Sequence, residues 1–207
     1  MGRRFGAVLL TGVILTVAAC SGNSSPQPAP SSAASPPASP SASGSPTPRL
    51  SPVPALRLPT VAKGAPCPMT AEHALRSSLT NDDGVGVLGR GPVAPVAYYF
   101  TGKGATLELR PDDKNPDGTY GKKVRWIGAG YAGPVLIRAA RIDGTGTAFA
   151  RLSEWAEKVD GGYSIVLTEK DNDMPATTTV SGPGCFAYQV DGTNFRDVIV
   201  FRAVTAG

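Results

Sequence analysis

Histidine is almost missing from this 207-residue chain: His73 stands alone, beside three cysteines and two tryptophans. A zinc site built from His and Cys needs several such ligands. Ser/His/Asp catalysis would depend entirely on His73, and no Gly-x-Ser-x-Gly elbow supplies a nucleophile. Long apolar runs are also lacking. The longest, residues 6–19, falls short of the roughly 20 residues that a membrane-spanning helix needs. Concentrated positive charge is absent too. The formal net charge is +4, but Arg3, Arg4, Arg49 and Arg57 account for it, because residues 61–207 hold 16 Lys+Arg against 16 Asp+Glu. A nucleic-acid binder presents a basic face, and no such partner is expected. With no nucleophile, base, metal set or cofactor motif, the chain reads as non-catalytic. A hydrolase using acidic loop residues is the enzymatic alternative, and it would need two convergent carboxylates.

What is present begins at the N-terminus. Arg3 and Arg4 precede the apolar stretch of residues 6–19, which closes on Val17-Ala18-Ala19-Cys20. A charged start, a short apolar segment and small residues before a cut describe a secretory signal peptide over residues 1–19. A cysteine directly after the cut resembles the lipobox of bacterial lipoproteins. The resemblance implies cleavage before Cys20, lipidation of Cys20, and anchoring on the extracytoplasmic face of the cell membrane. Ala18 and Ala19 would also suit the ordinary signal peptidase. Arg3-Arg4 hints at twin-arginine export, but Gly6 follows Phe5 where an apolar pair is expected.

Residues 21–48 contain ten Ser, eight Pro and five Ala, with no charge, aromatic ring or large aliphatic side chain. Such a segment cannot bury enough apolar surface to offset about 1–2 kcal/mol of ordering entropy per residue. Residues 20–60 are therefore expected to be a lipidated, disordered linker, stiffened by proline. Its polar part would reach at most about 85 Å. Leu50, Val53, Leu56, Leu58 and Val61 then appear between prolines, suggesting an extended lead-in lying along a domain of residues 61–207.

With Cys20 taken by lipid, Cys67 and Cys185 remain, and an exported domain with two cysteines is expected to pair them. A catalytic thiol would need His73 as its base. Thr70–Arg76, with Leu75 and Leu79 four apart, reads as a short helix capped by Thr70. Beyond it, eight strands separated by Gly/Pro/Asp turns predict an all-β sandwich. They cover residues 93–101, 106–110, 122–128, 134–142, 163–168, 177–180, 185–190 and 195–204. In residues 147–160, Phe149, Leu152, Trp155, Ala156 and Val159 follow helical spacing, which allows a crossover helix as well as a strand.

Two segments carry a wider resemblance: Gly133-Pro134-Val135-Leu136-Ile137-Arg138 with Arg141-Ile142-Asp143-Gly144, and Gly182-Pro183-Gly184-Cys185 through Gly192-Thr193 with Val198–Arg202. They resemble the C-terminal domain of actinobacterial-type secreted lipoproteins, similar to immunoglobulin-like sandwiches. That resemblance covers roughly residues 122–204. It implies an antiparallel immunoglobulin-like fold and a compartment, and carries over no catalytic residues.

Asp113-Lys114-Asn115-Pro116-Asp117-Gly118 matches the opening of a calcium loop, with Asp113, Asn115 and Asp117 as candidate ligands. Position 12, where a bidentate Glu belongs, is Val124, and Asn-Pro-Asp-Gly is also strong hairpin-turn chemistry. Trp126 shares a strand face with Val124 and is assigned to the core. Gln189 is assigned to a satisfied buried position. Trp126, Trp155, Tyr98, Tyr99, Tyr120, Tyr131 and Tyr163 could form a sugar-stacking platform, but most rings are expected to fill the core, and Tyr120 and Tyr131, beside glycine-rich turns, are the better candidates for exposure. The leading expectation is a binding or envelope-organising module with a cell-wall or protein partner. A carbohydrate- or peptidoglycan-binding module is the alternative.

Overall fold

The computed structural model describes residues 48–101, 104–159 and 161–207. The signal sequence, Cys20 and the linker up to residue 47 lie outside the described residues. Within the described residues are twelve strands and no α-helix. They are β1 (Glu72–Leu75), β2 (Val85–Leu88), β3 (Val93–Pro95), β4 (Thr106–Leu109), β5 (Tyr120–Gly128) and β6 (Gly133–Arg141). Then follow β7 (Thr147–Leu152), β8 (Glu157–Val159), β9 (Gly162–Leu167), β10 (Asn172–Val180), β11 (Gly184–Asp191) and β12 (Arg196–Thr205). β1 and β2 pair with each other. The other ten form one sheet in the order β3-β5-β10-β7-β6-β11-β12-β4, with β9 on β6 and β8 on β9. All pairings are antiparallel except β12 with β4.

The sheet curls on itself, so the fold is an all-β, sandwich-like arrangement. Trp126 on β5 and Tyr188 on β11 are four strand steps apart, roughly 19 Å in a flat sheet. Their ring centroids lie 5.3 Å apart in an edge-to-face contact. Only a curled sheet brings them together. Tyr188 also stacks on Phe201 of β12 at 4.6 Å, and its hydroxyl shares a 2.8 Å hydrogen bond with Thr178 Oγ1 of β10. Trp126, Tyr188, Phe186 and Phe201 are fully buried and fill the space between the layers.

Two expectations are corrected and one open choice is resolved. The short helix expected over Thr70–Arg76 is instead the strand β1, Glu72–Leu75, with an extended entry at Thr70. The Thr70 amide donates to Val200 O and the Val200 amide donates to Thr70 Oγ1, at 2.9 and 2.8 Å. The expected cap is thus spent on the edge of β12. β1 then continues extended, pairing Glu72 with Leu88 and Leu75 with Val85. Its burial alternates with period two, and an isolated helix of that length is marginal in water. The choice left open over residues 147–160 resolves to strands, β7 and β8. The core positions there are Ala148, Ala150 and Leu152, alternating inward, and the helical spacing of the larger residues was incidental. With β1, β2, β7 and β8, the strands number twelve where eight were read.

β11 is buried along nearly its whole length, although alternate residues should face opposite sides. Phe186, Tyr188 and Val190 point into the core. The row on the other face, Cys185, Ala187, Gln189 and Asp191, is covered by the lead-in. Leu58 and Val61 pack with Ile142, Cys185, Ala187 and Val200 in a second buried cluster. The Val61 amide donates to Ile142 O at 2.7 Å. The Arg57 amide donates to Gln189 Oε1 at 2.6 Å, and Gln189 Nε2 donates to Ala55 O at 2.9 Å. The assignment of Gln189 as a satisfied buried group therefore holds, with the lead-in backbone as its partner. Contact with the sheet begins upstream of residue 61, with Arg49 Nη2 donating to Glu157 Oε1 of β8 at 2.7 Å and the backbone clasp following at Ala55.

Candidate functional site

The outer face of β5, β10 and β7 carries an open groove of about 730 Å³. Register places its residues in cross-strand rows. Lys123, Thr177 and Arg151 face one another across the three strands. One row along, Arg125 lies opposite Pro175, whose carbonyl accepts the Ser153 amide at 2.9 Å. Arg125 is held bidentate by Asp173, with Nε–Oδ1 and Nη2–Oδ2 both 2.8 Å, and this pairing raises its pKa further. Lys123 and Arg151 also line the groove, and neither has an ion-pair partner among the described residues.

Aromatic rings stand at both ends. At the β5 edge, the Val96 amide donates to Arg125 O at 2.8 Å and one 3₁₀ turn, Ala97–Tyr99, brings Tyr99 to the groove. At the β7 end stands Trp155, 82% exposed. Two backbone departures place it there. Ser153 has φ 58°, the one non-glycine residue with positive φ among the described residues. Such a conformation costs on the order of 1–3 kcal/mol. Pro175 sits inside a central strand, where it removes a ladder donor. In an antiparallel pair the N–H and C=O of one residue point to the same neighbour. The missing donor therefore faces the end of β7, where pairing stops. The chain turns over Pro175, and the Trp155 amide donates to Ser153 Oγ at 3.2 Å.

The residues singled out from sequence lie elsewhere. Asp113 Oδ2 accepts the Arg110 amide and Lys122 Nζ at 2.8 and 2.7 Å. Burial works against ionisation of Asp113. The hydrogen bonds from Lys122 and the Arg110 amide, with the nearby positive charges, outweigh it and lower the pKa. Asn115 Nδ2 donates to Thr119 Oγ1 at 2.9 Å, and Asp117 Oδ1 accepts the Thr119 amide and hydroxyl at 3.0 and 2.6 Å. The Thr119 hydroxyl and amide hold Asp117 below its ordinary pKa. These groups close their own turn, with Gly118 at φ 84°. No group of three or more His, Cys, Asp or Glu that could hold a metal occurs among the described residues.

Tyr131 is corrected from exposed to buried, at 7%. Its hydroxyl donates to Pro134 O at 2.8 Å and accepts the Thr193 amide at 3.0 Å, and its ring meets Phe195 edge-on at 5.0 Å. The flanking turn folds the ring inward. Tyr120 is half-buried against the core. The exposed rings are Trp155 and Tyr98, the latter 87% exposed and at right angles to Tyr99. The signal for Trp155 was local: a tryptophan between Glu154 and Ala156-Glu157-Lys158. The expectation that most rings fill the core set it aside. Cys67 and Cys185 form a disulfide, with Cα atoms 5.6 Å apart, inside the range a bridge permits.

Fold and groove together define an all-β domain with an open surface groove of cationic and aromatic lining. No family model, curated protein or solved structure matches the chain.

Proposed function

We propose that this protein is a lipid-anchored, extracytoplasmic, non-catalytic module that holds a saccharide of the cell envelope in the β5–β10–β7 groove. One observation carries the saccharide reading: Trp155 stands exposed beside Pro175 on a backbone held in a sparsely populated conformation. Strain of this kind persists where the surroundings fix it, and such positions cluster at binding sites. A flat indole offers its face to the C–H surface of a sugar ring, while Glu154, Ser153 and Thr177 supply hydrogen-bonding groups around it. The groove is open, as accommodation of a polymer chain requires. The anchored, extracytoplasmic part of the reading rests on Arg3, Arg4, the apolar run and Val17-Ala18-Ala19-Cys20.

The site is tested by cosedimentation of the mature chain with purified cell-wall polymer. Trp155→Ala is expected to lower the bound fraction at least about tenfold, since one aromatic contact of this kind is worth about 0.5–1.5 kcal/mol beyond the area it buries. Its melting temperature should stay unchanged, because the side chain is exposed. Equal cosedimentation of the variant would remove the groove from consideration. The anchor is tested by Cys20→Ser. This substitution should shift the protein from the membrane fraction to the medium, or leave an uncleaved precursor. Ordinary cleavage with undiminished membrane association would contradict lipidation.

A further inference from the structure

We infer that the groove selects an acidic saccharide, whose anionic group sits over Thr177 between Lys123 and Arg151. This inference rests on the saccharide reading and adds the chemical class of the ligand. The three residues occupy one row across β5, β10 and β7. Lateral neighbours on one sheet face have Cβ atoms about 4.5–5.5 Å apart, so Lys123 and Arg151 flank Thr177 from both sides. Both long side chains can swing over it, and its hydroxyl lies on the floor between them. Two like charges without counter-charge repel, and an anion seated between them relieves that repulsion. The guanidinium also presents a planar fork that matches a carboxylate or phosphate.

The neighbouring row sharpens the choice. Arg125 is already neutralised by Asp173, which leaves the anion seat confined to the Lys123–Thr177–Arg151 row. About 7 Å along the strands, two residues on, lies Pro175, and with Trp155 beside it the groove there offers flat apolar surface. Glu154 also lines that end. Its carboxylate accepts hydroxyl protons and repels a second anion. A ligand with one negative group beside a ring rich in hydroxyls satisfies the whole surface. A polyanion with closely spaced charges meets Glu154 and Asp173.

The test is calorimetric titration of the mature chain in detergent micelles against four probes of matched length. These are a galacto-oligosaccharide carrying a single galacturonate residue, the neutral galacto-oligosaccharide, the same oligomer carrying a single phosphate, and polyglutamate. The wild-type protein is expected to bind an acidic saccharide about tenfold tighter than the neutral one, the order expected of a charge-assisted hydrogen bond. The preference should shrink as salt is raised. Lys123→Gln and Arg151→Gln, both exposed positions, should each reduce that preference, read as the ratio of acidic to neutral affinity. Whichever acidic saccharide binds tighter identifies the anion as carboxylate or phosphate, and either supports the inference. Equal affinity for neutral and acidic saccharides, unmoved by the two substitutions, overturns the acidic preference and leaves the saccharide reading standing. Polyglutamate binding as tightly as the acidic saccharides overturns the inference, since charge alone would then suffice. Binding of no saccharide at all removes both readings.

Discussion

Asp191→Ala is expected to destabilise the domain by about 3 kcal/mol, measured as a lowered urea midpoint at neutral pH, because it breaks a buried ion pair from one side. Asp191 is 1% exposed and Arg138 3%. One carboxylate oxygen accepts Arg138 Nη2 and Gln189 Nε2, both at 2.8 Å, and the other accepts Arg196 Nε at 2.8 Å. Removing the carboxylate takes an opposite charge from a guanidinium inside the protein, and also a ligand from the side chain that clasps the lead-in. Burial alone would push the Asp191 carboxyl upward. The bonds from Arg196, Gln189 and Arg138, with the Arg196 charge, outweigh it and hold the carboxyl below its ordinary value. A depressed folded-state pKa contributes stability that is fully present above the unfolded value, near 3.9, and is lost as pH falls through the folded one. The stability gap between wild type and variant should therefore narrow below about pH 4. A gap that persists undiminished to pH 2 would show that the carboxylate is not the stabilising group.

Breaking the Cys67–Cys185 bridge should have a comparable effect. The bridge closes a sequence separation of 118 residues, and loop entropy assigns such a crosslink up to about 4.7 kcal/mol. For a domain of this size that corresponds to a fall of up to about 15 °C in Tm on reduction or in a Cys67→Ala/Cys185→Ala variant. The bridge holds the chain just before Thr70, which is itself bonded to Val200 of β12. Loosening it is expected to free β1 and β2 before the main sheet. The check is a melt with and without reductant, alongside thiol titration of the unreduced protein. Two titratable thiols in the folded, exported protein would refute the pairing.

All eight strands expected from sequence are present in the sheet, at least in part, because glycine, proline and aspartate punctuate a chain whose strands alternate clearly. β1 escaped because its decisive bonds run to Val200, far along the chain, and nothing local signals them. β7 escaped because alanines carry its inward face, and alanine gives almost no hydrophobic contrast. The first half of β10, Asn172-Asp173-Met174-Pro175, is polar and contains a proline, so it reads as loop. The candidate site was less legible than the fold for one reason. Lys123, Thr177 and Arg151 belong to three separate segments, and only the register of β10 against β5 and β7 makes them neighbours. Each alone is an ordinary surface residue. Buried Gln189 was visible in sequence, but the lead-in backbone that satisfies it was not.

The clasp and the crosslink together set a mechanical order. A pull arriving from the N-terminal side would first meet the ion pair of Arg49 with Glu157, then the bonds at Ala55 and Arg57, then the one at Val61, each loaded in turn like the teeth of a zip. Peeling residues 49–66 would pay out roughly 60 Å of slack. Extension then halts at Cys67, where the covalent bridge passes the load directly to Cys185 and into β11, in the interior of the sheet. Tension therefore bypasses every strand from β1 to β10, including those that form the groove.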